Sequence, residues 1–153
     1  EDIQRISESL SDIVWNINPR YDDLQNLFIR MKRYAADMLD GKNIAGQFDF
    51  PIDEANLSLS MTQRRDLYLI FKEAVNNLVK YSQASTATIQ VTADTHSIQL
   101  LVQDNGKGFD RDNTRMGNGL QNIEQRAKAS GAEVAISSTP GVGTFVKLKM
   151  KIG

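Results

Sequence analysis

The stretch IQLLVQDNGKGF, residues 98–109, holds the pattern that decides the fold. Its first residues are mostly apolar and predict a strand, which runs directly into one acidic residue, Asp104. Asp-Asn-Gly by itself is a common hairpin turn. Such a turn does not require a second glycine, Gly108, two positions later. The segments around this loop must therefore explain that glycine.

These neighbouring segments predict an α+β fold. Upstream, a helix over residues 62–81 precedes a hairpin with strands at 86–93 and 97–103. Downstream, a helix over 120–130 is stopped by Gly131, and two strands follow at 132–137 and 144–152. Lysines alternate with apolar residues along the last strand, which indicates a sheet with one buried and one solvated face. Helices are therefore expected on one face only.

Two more helices are predicted before this unit. The first has an apolar seam typical of a helix bundle or coiled coil and ends at Pro19; its residues are Ile3, Ile6, Leu10, Ile13 and Ile17. A terminal helix docked on its own domain is the alternative. An amphipathic helix over 24–38, with Gly41 as its cap, and an edge strand at 47–50 follow. The chain starts at Glu1, inside a predicted helix, so we expect a piece of a longer protein.

Composition excludes several classes of function. The 153 residues carry a net charge of −1, so no overall field attracts nucleic acid, and no nucleic-acid partner is expected. The absence of cysteine rules out disulfides, thiolate zinc sites and cysteine nucleophiles, and a single histidine, His96, cannot build a histidine-rich metal site. No apolar run approaches the roughly 18 residues of a membrane span. We therefore expect no direct membrane contact by this chain.

A polar row lies beside the apolar face of the 62–81 helix. Glu73, Asn77 and Lys80 stand at i, i+4 and i+7, on one side of the helix. Such a row can be a solvated flank. It can also be a metal–phosphate site, because an amide oxygen suits Mg²⁺ and a lysine one turn further on can reach a phosphate.

Four segments taken in order are much more specific than any one of them. FKEAVNNLVKYS (71–82), DNGKGF (104–109), GNGLQNIEQRA (117–127) and TPGVGTFVKL (139–148) resemble the ATP-binding domain of sensor histidine kinases, of the GHKL superfamily with its Bergerat ATP-binding fold. Residues 11–35 add to the resemblance, which is greatest to short-lid kinases of the nitrate-sensor and lipid-fluidity-sensor type. It implies a two-layer α+β sandwich with a mixed, mostly antiparallel sheet. It also implies that residues 1–19 end a dimerisation helix and that 20–153 form the catalytic domain.

The resemblance implies a role for each residue near the base. Asp104 would accept a hydrogen bond from the adenine amino group, with Thr144 supporting it. Gly106 would allow the turn, and Gly108 would let the backbone pass close to the base and sugar. Phe109 would anchor the start of a short lid.

It likewise implies a phosphate side of the site. Asn77 would bind Mg²⁺, Lys80 would contact phosphate, and Glu73 would orient a water near the metal. The start of the next helix would close over the phosphates through Gly117, Gly119 and Leu120. The family often has histidine after the lysine, and here Tyr81 takes that place, which puts the role of that side chain in doubt.

The resemblance implies a kinase that lacks its acceptor in this chain. His96 lies in a predicted hairpin tip, so the phospho-accepting histidine is expected upstream, in a dimerisation domain. Implied partners are ATP, Mg²⁺, that domain, a response regulator and a second copy in a homodimer. The expected location is cytoplasmic, as part of a membrane-anchored sensor. The alternatives are an anti-sigma-factor-type serine kinase and a non-catalytic nucleotide-binding or dimerisation module.

Overall fold

The computed structural model describes residues 24–50, 59–94, 96–108 and 119–152. Within these ranges the chain order is α1 (Leu24–Asp40), β1 (Ala45–Asp49), α2 (Met61–Tyr81), β2 (Thr86–Ala93), β3 (Ser97–Asp104), α3 (Gly119–Ala129), β4 (Glu133–Thr139) and β5 (Gly143–Lys151). Every element predicted for these residues is present, with bounds that differ by two residues or fewer. The predicted helix over 1–19, and with it the division at residue 20, lies outside the described residues.

The five strands form one sheet in the order β1-β2-β3-β5-β4. β1 pairs with β2 in parallel, and the other pairs are antiparallel, which confirms a mixed, mostly antiparallel sheet. β3 is the central strand, and its register with β5 sets Asp104 opposite Thr144. The register therefore places the end of β3 beside the start of β5.

The helices cover one face of this sheet, as predicted. Side chains of β3 alternate, so that Ile98, Leu100 and Val102 are buried in the same core as Leu148 on β5. α2 contributes fully buried residues to that core, among them Leu67, Ile70, Phe71 and Val75. The lysines at 147, 149 and 151 are exposed on the other face. Among the described residues, no helix is long and apolar enough to cross a lipid bilayer.

Two helix ends test the predicted caps. Gly131 has φ +74°, and the Ala132 N–H donates to the Ala127 carbonyl at 2.8 Å, so this stop is confirmed. α1 ends at Asp40, but Gly41 is not the residue in the left-handed conformation. Asn43 takes that conformation with φ 58°, because asparagine tolerates it better than other side chains do. The predicted glycine cap of α1 is therefore wrong in its position.

The start of α2 has a capping box that the sequence interpretation did not use. The Ser60 hydroxyl accepts from the Gln63 N–H at 3.1 Å, and the Gln63 side chain accepts from the Ser60 N–H at 3.0 Å. Gln63 also donates to the Lys151 carbonyl at 2.7 Å, which ties the start of the helix to the end of β5. These bonds hold in place the helix that carries the polar row.

Candidate functional site

The loop after β3 lies against the C-terminal end of α2. The Lys107 N–H donates to the Ser82 carbonyl at 2.7 Å. At Gly106, an added Cβ would lie 2.7 Å from the Ser82 carbonyl carbon and 2.9 Å from its Cβ. Backbone therefore packs directly on backbone here, and only glycine fits at position 106.

Gly108 packs in the same way against the turn between β4 and β5. Its φ is +64°, and an added Cβ would lie 2.7 Å from the Thr139 carbonyl carbon. The Gly141 N–H donates to the Lys107 carbonyl at 2.6 Å, which joins the two turns. The contact that excludes a side chain at Gly108 is thus with Thr139, whereas the resemblance implied close passage to a base and sugar. The protein's own packing is sufficient to require the second glycine.

One cavity opens between the end of α2, this loop, the start of α3 and β5. Polar side chains from three elements line it, namely those of Asn77, Tyr81, Ser82, Asp104 and Thr144, together with the backbone of Gly108. Its apolar walls are Ala74, Leu78, Val102, Leu120 and Val146. The volume is about 30 Å³. The fold therefore places Asp104 and Asn77, which are 27 residues apart in sequence, on the same cavity.

Asp104 is a buried residue that lines this cavity, with 8% of its surface exposed. Its Oδ1 accepts from the Gly106 N–H at 2.8 Å. Burial raises the pKa of this carboxyl above its ordinary value, and the hydrogen bonds from the backbone of Gly106 and of Thr144 partly oppose that rise. A carboxylate kept in this environment is a common mark of a binding site.

Thr144 supports Asp104 in the way that its register predicts. Its backbone bonds to the carboxylate, and its Oγ1 lies 2.7 Å from the Ser138 Oγ on β4. The hydroxyl is thereby engaged with the neighbouring strand. The support that Thr144 gives to Asp104 in this structure comes from the main chain.

The Asn77 amide is the candidate metal ligand, and its surroundings fit that task. Its Nδ2 is buried and has no hydrogen-bond partner in this structure, and a buried polar atom without a partner is uncommon away from ligand sites. Within the described ranges, no group of three or more histidine, cysteine, aspartate or glutamate residues could hold a metal ion. The Asn77 side-chain oxygen suits Mg²⁺, which is commonly held by one protein oxygen together with ligand phosphates and water.

The other two members of the polar row do not line the cavity. Glu73 lies in a neighbouring groove between α2 and α3, where it accepts from the Asn122 side chain at 3.4 Å. Lys80 is exposed near the end of α2. The row predicted from spacing alone therefore divides between two surfaces of the same helix.

The remaining predicted residues fall into two groups. Tyr81 and Leu120 line the cavity, and Gly119 begins α3. Phe109 and Gly117 lie outside the described residues. Apart from Leu120, the apolar walls of the cavity were not predicted, although Ala74 and Leu78 could have been found from their spacing around Asn77 on one helix.

Known proteins resemble this chain in sequence. Residues 62–153 match the family described as histidine kinase-, DNA gyrase B-, and HSP90-like ATPase. The signal transduction histidine-protein kinase/phosphatase UhpB of Salmonella typhimurium is 28% identical over 147 residues, which are 95% of this chain and 29% of that protein. The sensor histidine kinase LiaS of Bacillus subtilis is 28% identical over 123 residues, which are 80% of this chain and 34% of LiaS. This chain therefore spans about a third of the length of these curated relatives.

A solved structure shows the same fold. The histidine kinase domain of the blue-light-activated kinase EL346 from Erythrobacter litoralis has a TM-score of 0.69 to this chain, with 17% identity. The match covers 82% of this chain and 61% of that one. The architecture is thus that of histidine kinase catalytic domains. Because the family match extends over more than half of the residues, the chain belongs to the histidine kinase-, DNA gyrase B-, and HSP90-like ATPase family, and it is an ATP-binding domain of the sensor histidine kinase type.

Proposed function

We propose that this chain binds Mg·ATP in the cavity between Asp104 and Asn77 and donates the γ-phosphoryl group to a histidine on a dimerisation domain. One observation carries the proposal: a buried carboxylate and an asparagine whose buried Nδ2 has no hydrogen-bond partner line the same cavity in a chain of this ATPase family. Phosphoryl transfer depends mainly on positioning and charge stabilisation. A site built from few polar groups on fixed elements is adequate for that chemistry.

In this proposal Asp104 selects adenine. A carboxylate has lone pairs beyond those that the Gly106 and Thr144 N–H groups use, and one of them can accept from an exocyclic amino group. Guanine carries a carbonyl oxygen at that place and would meet the carboxylate unfavourably. Val102 and Val146 would form apolar walls against the faces of the base. A cavity of about 30 Å³ must widen to admit a purine, and Tyr81, which is 38% exposed, is the wall with the most room to move.

The phosphate side follows from the helix that carries Asn77. Asn77 would hold Mg²⁺ through its side-chain oxygen, and the metal, when bound, neutralises phosphate charge. Lys80 would reach the phosphates from its exposed position, since a lysine stem is long and flexible. Glu73 would act from the adjoining groove on a water or on the incoming acceptor. Gly119 and Leu120 would contribute the helix start that faces the phosphates.

The implied partners belong to the same proposal. The acceptor histidine would come from a dimerisation domain, and the phosphoryl group would pass from it to a response regulator. Homodimerisation, a cytoplasmic location and a membrane-anchored parent protein are further parts of this proposal.

The nucleotide site can be tested by calorimetric titration of a non-hydrolysable ATP analogue with Mg²⁺. Asp104→Ala and Asn77→Ala should each weaken binding by about tenfold or more, because a charged or metal-mediated contact is lost. Asp49→Ala, an exposed carboxylate on the edge strand β1, is the matched control and should bind like the unmodified chain. Equal affinity in all four proteins would refute the proposed site.

The acceptor can be tested separately. A histidine-bearing dimerisation segment of a relative such as UhpB is added with Mg·ATP, and the phosphorylated product is treated with acid. An acid-labile phosphoryl group on that segment supports histidine kinase activity. An acid-stable phosphoserine on another partner would instead indicate the serine kinase alternative.

A further inference from the structure

Two neighbouring asparagines on α2 face different surroundings. Asn77 lines the cavity with Asp104. Asn76 lies in the groove between α2 and α3, and its Oδ1 accepts a hydrogen bond from the Tyr34 hydroxyl on α1 at 2.6 Å. This bond is a directed polar contact between α1 and the helix that carries the candidate site. It joins residues 42 positions apart in a partly buried place.

The ring of Tyr34 is held on several sides. The Lys72 Nζ lies 5.3 Å from the centroid of this ring and 5.5 Å from that of Tyr68, and Lys72 is only 8% exposed. Phe71 packs edge-on against Tyr34, with 6.4 Å between ring centroids. Phe71, Lys72 and Asn76 all lie on α2, so the Tyr34 ring and its hydroxyl together hold α1 to this helix. The hydroxyl is the part of this contact that is directed at the Asn76 amide.

The geometry of a helix links this bond to the cavity. Adjacent residues are fixed about 100° apart around the axis, so any rotation of α2 moves Asn76 and Asn77 together. A rotation of about 10° displaces an atom some 6 Å from the axis by roughly 1 Å. Displacements of about 1 Å matter at sites that depend on positioning. A contact that opposes rotation at Asn76 therefore fixes the position of the Asn77 amide in the cavity.

We propose that Tyr34 and Asn76 are positioning residues for the nucleotide site. Their hydrogen bond fixes the rotation of α2, and it thereby directs the Asn77 amide toward the magnesium ion of the bound nucleotide. This inference rests on the proposed function. It adds a residue of α1, outside every motif of the site, to the groups on which metal-dependent binding depends.

The test measures how much Mg²⁺ strengthens binding. Dissociation constants of a non-hydrolysable ATP analogue are determined by calorimetry with Mg²⁺ and with EDTA, and their ratio is the readout. Tyr34→Phe removes one hydroxyl and keeps the ring, and it should lower the ratio about five- to tenfold, the effect of one hydrogen bond. Asn76→Ala should do the same, and the double variant should fall no further than either single change, because both remove one shared bond.

A matched control comes from the same aromatic cluster. Tyr68→Phe removes a hydroxyl from the other ring beside Lys72, but that hydroxyl is not the donor to Asn76. Its ratio should stay at the value of the unmodified chain. Affinity in EDTA should be unchanged in Tyr34→Phe, since the base contacts remain intact.

The other possible outcomes distinguish failure of the positioning role from failure of the proposed function. An unchanged ratio in Tyr34→Phe, beside a lowered ratio in Asn77→Ala, overturns the positioning role and leaves the proposed function in place. An equal loss of affinity with and without Mg²⁺ also overturns it, since that shows only general destabilisation. If Asn76→Ala unfolds, Tyr34→Phe decides alone. Absence of magnesium-dependent binding by the unmodified chain refutes the proposed function itself, and the inference falls with it.

Discussion

Gly108→Ala should destabilise the chain far more than Gly131→Ala, although both glycines have a left-handed backbone. Their φ angles are +64° and +74°. An alanine in this conformation is strained by about 1 kcal/mol at either position. At Gly131 an added Cβ would meet nothing within 4 Å, whereas at Gly108 it would meet the backbone of Thr139 and Pro140. Comparison of the two variants therefore separates the effect of backbone strain on stability from that of close packing.

The additional effect at Gly108 can be estimated from the contacts. The added Cβ would lie 2.7 Å from the Thr139 carbonyl carbon and 3.2 Å from the Pro140 Cα. Carbon atoms prefer separations of about 3.5–4.0 Å, so the turn must move by about 1 Å. That shift breaks the 2.6 Å bond between the Gly141 N–H and the Lys107 carbonyl, at about 1 kcal/mol. Overpacking adds about 1–3 kcal/mol. The total is about 3–5 kcal/mol, against about 1 kcal/mol for Gly131→Ala.

Urea unfolding followed by circular dichroism measures both free energies, with the denaturant slopes compared to confirm a common unfolding transition. Binding of the ATP analogue should also weaken in Gly108→Ala, because this residue lines the cavity. Free energies of unfolding that agree within about 0.5 kcal/mol for the two variants would refute the argument from close packing.

Two further predictions concern the sheet and the buried carboxylate. Leu100→Ala should lower the free energy of unfolding by about 2–5 kcal/mol, because Leu100 is fully buried. Leu101→Ala, on the open face of the sheet, should lower it by about 1 kcal/mol or less. Equal losses of free energy in urea unfolding would contradict the assigned faces. Burial raises the pKa of Asp104, so the folded state holds a proton above pH 3.8 that the unfolded state releases. The unmodified chain should therefore lose stability relative to Asp104→Asn as pH rises from 3.8 toward neutral. A free energy of unfolding of the unmodified chain that rises with pH relative to that of Asp104→Asn would overturn this sign.

Much of the fold could be predicted from the sequence because the spacing of apolar residues is a local property of the chain. Alternation along β3 and β5 identified both the strands and their buried faces, and the 3.6-residue period identified α1 and α2. Caps were less predictable. Gly131 ends α3 as expected, but at the end of α1 it is Asn43 that has the left-handed φ angle, while the glycine two residues earlier does not. Two residue types that both tolerate this conformation lay close together, and local sequence does not decide between them.

The candidate site was predictable as a set of motifs but not as a geometry. Spacing placed Glu73 and Asn77 in one row, yet the packing of α3 against α2 puts Glu73 in a groove and leaves Asn77 in the cavity. Spacing on a helix gives the angle between two side chains. Which neighbour each side chain meets depends on elements that come later in the chain.

The sequence by itself determined the strand and helix pattern, the acidic residue at the end of β3 and the places where glycine is needed. Only the tertiary structure decided why Gly108 must be glycine, which is its contact with the Thr139 turn, and which side chain of α1 reaches α2. The physical reason is that periodicity and turn preference act over a few residues. Contacts between loops and between helices depend on the register of β3 with β5 and on helix packing, and these become defined only when the whole core assembles.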